Sequence, residues 1–163
     1  MKLVLGVIDI PYQNPPSQKK IPQAKKGKAN KPVHVVKPTE QTTGDVAEWL
    51  ENKYQVMERF VDLHRDDINQ AIEKSVSGAL ESLMMGAPAS FNPFGSAANE
   101  IETLFKFTYL DKEEIVKTGA QGVPTEAALK GVNHRLKKGK GARRPSFIDT
   151  GQYETTMKCW TDE

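Results

Sequence analysis

The chain has 163 residues, 37% of them hydrophobic and 27% charged, which fits one compact domain with an appendage and a modest core rather than two full domains. No apolar run approaches the ~20 residues that a bilayer span requires. The single cysteine, Cys159, excludes a disulfide framework or a multi-cysteine zinc site and fits assembly in a reducing cytosol.

The formal net charge of +2 hides a block pattern. Residues 1–39 carry eight lysines against Asp9, and residues 40–129 carry seven bases against sixteen acids. Residues 130–144 carry seven bases and no acid, whereas 145–163 carry Lys158 against four acids. Segregation of this kind lets a basic segment seek phosphates or acidic protein surfaces, those of identical copies included.

Residues 1–10 read as an N-terminal strand. Leu3, Leu5 and Val7 interleave with Val4, Ile8 and Ile10, an apolar pattern on both faces that Pro11 stops. Asp9 interrupts the run, so it does not read as a signal peptide. Residues 11–41 read as an extended arm rich in Pro and Lys, in which only Val33, Val35 and Val36 offer much to bury. Polar chain of this composition does not offset its own ordering entropy, so the arm is expected to order against a partner.

Residues 42–163 read as the helical body. A long amphipathic helix is predicted from Thr42 or Thr43 to Gly86, opened by a capping box of Thr42 and Asp45 and stopped by Gly86 and Pro88. Val46, Leu50, Met57, Phe60, Val61, Ile68, Ala71, Ile72, Ala79, Leu80 and Leu83 fall at helical spacing. At roughly 1.5 Å per residue this helix would be about 60 Å long, a strut suited to an assembly, with a break expected within Leu63–Asp67. A second helix is predicted from Ser96, as its cap, to about Phe107. A short third helix, capped by Asp111 and Glu114, ends at Gly119. After a turn at Gly122-Val123-Pro124, a helix over Thr125–Leu136 leads into the basic loop 137–144. Ser146–Ile148 is expected to be extended, Asp149-Thr150-Gly151 to turn tightly, and Tyr153–Trp160 to form a closing strand.

No constellation carries chemistry. His34, His64 and His134 share no ligand spacing, and the neighbours of His64, Asp62, Asp66 and Asp67, read as an acidic helix face rather than a metal site. Cys159 lacks a nearby histidine and reads as a small hydrophobe. There is no phosphate-cradling glycine loop, and no cofactor, metal or catalytic residue is expected. Asp149-Thr150-Gly151 matches the tripeptide of aspartic proteases, but a second such motif, or a strand-rich dimeric chain, would have to accompany it. It reads instead as a corner, with Gly151 free to take a positive φ.

From Arg144 to Thr156 the sequence RPSFIDTGQYETT resembles the tail-completion or neck proteins of tailed bacteriophages. In that family a basic stretch and a Pro precede an apolar-Asp-Thr-Gly segment, followed by Leu two residues on and by Ser or Thr five residues on. Tyr153 stands where Leu is usual and Thr156 fits the Ser/Thr position. The upstream helix with its basic tail and the long helix also have counterparts, whereas the arm has none. The resemblance implies a virion structural protein in a neck ring at the head–tail junction, six or twelve copies around. It would meet adjacent neck, portal-adaptor or tail-terminator proteins, and would pass through the host cytoplasm during assembly.

The expected fold is α+β: one long helix with shorter ones packed on a small antiparallel sheet of N- and C-terminal strands, plus the arm. Partner or DNA contact is expected at Lys19, Lys20, Lys25, Lys26, Lys28 and Lys31, and at Arg135, Lys137, Lys138, Lys140, Arg143 and Arg144. Neither run holds aromatic platforms for single strands, so contact with acidic protein or with packaged duplex backbone is the expectation, and no membrane partner is. The alternative is a basic nucleic-acid-binding factor using residues 19–31 and 135–144.

Overall fold

The computed structural model describes residues 2–11, 41–88, 92–132, 141–148 and 151–162. It has the expected α+β architecture. Strand β1 (Lys2–Val7) pairs antiparallel with β2 (Met157–Asp162), Leu3 opposite Thr161 and Val7 opposite Met157. The two ends of the chain thus make one small sheet, packed against helix α4 (Gly95–Thr103).

The strut is three helices instead of one: α1 (Thr43–Tyr54), α2 (Val56–Leu63) and α3 (Arg65–Met84). Its start is as predicted, since Thr42 accepts from the Asp45 N–H while Asp45 accepts from the Thr42 N–H. The break at His64 falls inside the expected window, but the one at Gln55 does not. Gln55 is left-handed (φ 54°), and the freed groups are satisfied locally. The Glu51 carboxylate accepts from the Met57 and Glu58 N–H groups (2.8 and 3.1 Å), and Arg59 donates to the Tyr54 carbonyl (3.0 Å). Packing explains the kink. Ala47, Leu50 and Tyr54 are buried at helical spacing, and so are Val56, Phe60 and His64, but the two series are out of phase. One left-handed residue resets the phase and lets both point inward. At the far end Gly86 and Ala87 donate to the Leu83 and Ser82 carbonyls and close α3 as expected.

Helix α4 begins at Gly95 with Phe94 in the cap position, so Ser96 is not its cap. The Ser96 hydroxyl instead meets that of Ser75 (2.5 Å) and ties α4 to α3. Beyond Thr103 the chain winds as a π-helix over Leu104–Leu110 rather than stopping near Phe107. Residues Ile101, Phe105 and Tyr109, four apart, are all buried. An i→i+5 winding turns less per residue than an α-helix and keeps such positions nearly in line. Phe105 and Tyr109 pack with Phe60 at ring distances of 4.9–5.6 Å, the centre of the core.

The third helix is a 3₁₀ turn, Glu114–Thr118, preceded by left-handed Glu113 and ending at Gly119 as expected. Helix α5 spans only Glu126–Leu129 instead of running to Leu136. Thr125 caps it, and two residues past its end Gly131 is left-handed (φ +59°) where a Cβ would stand 2.3 Å from the Ala142 carbonyl oxygen. Ser146–Ile148 is a turn rather than extended: Phe147 is left-handed (φ 69°), which seats its ring 5.0 Å from that of Tyr54. The closing strand starts late, since Gln152–Thr156 forms helix α6 before β2 begins at Met157.

Candidate assembly surfaces

The base of the arm is a clasp between β1 and α1. Thr43, completely buried, donates its hydroxyl to the Ile8 carbonyl (2.8 Å) and accepts from the Ile10 N–H (2.9 Å), while its own N–H donates to the Ile10 carbonyl. Pro11 and Thr42 form an antiparallel bridge, and Gly44 N–H donates to Asp9 Oδ1 (2.9 Å). Hydrogen bonds from the Thr42 side chain and from this N–H hold the Asp9 carboxyl below its ordinary value. Pro11 and Thr42, on either side of residues 12–40, are thereby pinned side by side. Lys19, Lys20, Lys25, Lys26, Lys28 and Lys31 lie outside the described residues.

Of the second basic run, Arg135, Lys137, Lys138 and Lys140 also lie outside the described residues, as do Asp149 and Thr150. Arg143 and Arg144 are described, and both turn onto the protein itself. Arg143 pairs with Glu113 (2.5 Å), whose other oxygen accepts from the Ser146 N–H (2.7 Å). Arg144, half-buried, donates to the carbonyls of Val132 and Ile148. Gly151 has φ +75°, as the corner requires, and Thr155 N–H returns to its carbonyl (2.9 Å). Tyr153 is buried in the core. Its hydroxyl, like that of Tyr109, has no hydrogen-bond partner among the described residues, and burial raises both phenols far above their ordinary value.

Burial of Cys159 pushes its thiol up to about 11, with Glu102 adding to the shift, so a thiolate is scarce at neutral pH. His64 is a packing residue at the α2–α3 break, lying over Phe60 with Nδ1 2.8 Å from Asp67 and Nε2 3.1 Å from Glu114. The two carboxylates sit at opposite nitrogens of the ring, so they do not converge on one ion. Asp62 pairs with Arg65 (2.9 Å). Among the described residues no three His, Cys, Asp or Glu side chains group to hold a metal, and no described helix is long and apolar enough to cross a membrane.

What periodicity alone missed is the exposed apolar surface. Leu80 and Leu83, expected on the buried face of the strut, are 56% and 49% exposed, and Met84 and Met85 are 80% and 85% exposed. With Val76 they form a stripe on the second half of α3, which buries nothing large. The helical spacing identified this face as apolar, but nothing in the sequence says that the rest of the chain leaves it uncovered. Trp49, with Lys53 over its ring, and Trp160 on β2 are further exposed aromatics. No protein-family model, curated protein or solved structure matches this chain.

Proposed function

We propose that this protein is a virion structural component of a tailed bacteriophage, forming a ring in the neck that helps join the DNA-filled head to the tail. It has no catalytic role in this reading. The observation that carries the proposal is the bare stripe of Val76, Leu80, Leu83 and Met84 on α3 with Met85 at its cap, a surface that the described residues leave uncovered and that suits contact with another chain. The RPSFIDTGQYETT resemblance supplies the setting, and the charge blocks supply the cement: a basic arm rooted on an acidic body can embrace the next copy. Neighbouring neck, portal-adaptor or tail-terminator rings would be its other partners, and six or twelve copies its ring order.

Arg143 and Arg144, two of the twelve cations of the nucleic-acid-binding alternative, pair with Glu113 and with backbone carbonyls. Native mass measurement of the full chain tests the proposal. The expected result is one closed oligomer of six or twelve copies, lost when residues 13–39 are replaced by a short glycine linker that leaves Pro11 and Thr42 in place. A chain that stays monomeric at tens of micromolar, yet binds duplex DNA with an affinity falling steeply with salt, overturns it.

A further inference from the structure

Strand β1 is apolar on both faces but paired on one edge. Leu3, Leu5 and Val7 pack on the core. On the opposite face the Trp160 ring lies over Gly6, so close that a Cβ there would stand 2.7 Å from it, and Ile8 is half exposed. Ile8 N–H donates to the Thr156 carbonyl (2.9 Å), which sets the alternation: even-numbered residues of β1 direct their backbone groups toward β2. The N–H and C=O groups of Leu3, Leu5 and Val7 therefore point outward, and among the described residues none has a hydrogen-bond partner. The outer edge of β2 differs, since Cys159 N–H reaches Glu102 Oε2 (3.4 Å) and α4 packs there. A two-stranded sheet is marginal on its own, and an open apolar edge is a template for a third strand.

We infer that this edge receives the Val33-His34-Val35-Val36 segment of a neighbouring copy, an inference that rests on the ring reading above. The segment lies in the stretch between Pro11 and Gln41 and holds its one run of β-branched residues, flanked by Lys31 and Lys37. Alternate side chains of an added strand would meet the Leu3–Leu5–Val7 face and the Trp160 face, both apolar.

The clasp decides in favour of a neighbour. Thr43 binds Ile8 and Ile10 on the β2 side of β1, and the Pro11–Thr42 bridge is antiparallel. Gln41 and Thr42 therefore join the body on the side away from the open edge, so a segment of the same chain laid on that edge would have to cross to the other side of β1. Val36 is joined to Gln41 through four residues, five Cα-to-Cα steps and a tether of about 17 Å at most. The clasp of one copy must then adjoin the β1 edge of the next, a head-to-tail contact of the kind that closes rings.

Disulfide trapping in full-length chains tests this. In a Cys159→Ala background, one chain carries Val4→Cys, at a close, non-hydrogen-bonded position of the open edge, and a differently tagged chain carries either His34→Cys or Val35→Cys. After the two are mixed and mildly oxidised with copper phenanthroline, one of the two arm positions is expected to yield an adduct containing one of each chain. Val35→Pro is expected to raise the concentration for half-assembly at least tenfold while circular dichroism stays unchanged. Adducts of two Val4→Cys chains, or a link formed only within a chain carrying both cysteines, overturn the inference. Rings that assemble without the mixed adduct also overturn it but leave the ring reading standing, whereas a chain that never assembles removes both.

Discussion

The two halves of α3 obey different rules. Up to Ser75 the helix is bound into the body: Ala71 and Ser75 are buried against α4, and the Ser75 hydroxyl donates to the Pro93 carbonyl (2.7 Å) while lying within hydrogen-bond reach of Ser96 and the Ala97 N–H. Beyond it, Val76 to Met84 carry as much hydrocarbon and bury little of it. The first half is held by its own chain. The second is stable as helix because it continues the first and ends in a closed cap, and its apolar stripe is left to be covered by something else. The lesson is that apolar content alone does not locate a core; complementary surface does.

Substitutions that strike the inner region should be felt in the isolated chain, and those on the outer half only in the assembly. Phe60→Ala removes the ring that Phe105 and Tyr109 pack against and is expected to destabilise the monomer by about 3–5 kcal/mol in urea titration. Thr43→Val keeps shape but leaves the Ile10 N–H without its side-chain acceptor, for a loss of about 2 kcal/mol.

A smaller effect comes from Glu102, which joins α4 to β2 through Lys158 (2.7 Å) and also pairs with Lys106 (2.8 Å). Burial raises its carboxyl pKa, but the two lysines and the Cys159 N–H together bring it below its ordinary value. Its stabilising contribution is therefore present above the ordinary carboxylate range and is lost as pH falls through the lowered folded value. Urea midpoints at pH 7 and pH 3 should differ less in Glu102→Gln than in the parent; an equal difference would remove Glu102 from the acid response.

On the outer half of α3, Leu83→Ser should change monomer stability by no more than about 0.5 kcal/mol while shifting the native mass distribution toward free chains. A loss of several kcal/mol would mean that the stripe is core after all. Smallest of all is Tyr153→Phe, expected to be near neutral in thermal melts because the hydroxyl it removes has no partner among the described residues.

Local signals were legible where the physics is local. The capping box at Thr42 and Asp45, the stop at Gly86 and the positive φ of Gly151 all depend on residues within a turn of one another, and all three stand as read. The Gln55 break was not legible, because it answers to the phase needed by Phe60 and His64 against the π-helix, a long-range demand. Ser96 reads as a cap by residue type but finds a better partner in Ser75, twenty-one residues away. Arg144 reads as surface charge and instead gathers carbonyls that only the folded loop brings to it.

By itself the sequence determined the pairing of the chain ends, the helical character of the body and the segregation of charge, since hydrophobic period, caps and composition are properties of neighbours along the chain. Only the tertiary structure decided that the strut also bends at Gln55, which apolar residues remain bare and which edge of β1 stays open. Those depend on how much complementary surface is brought to each face, and the described residues do not bring enough to cover them all.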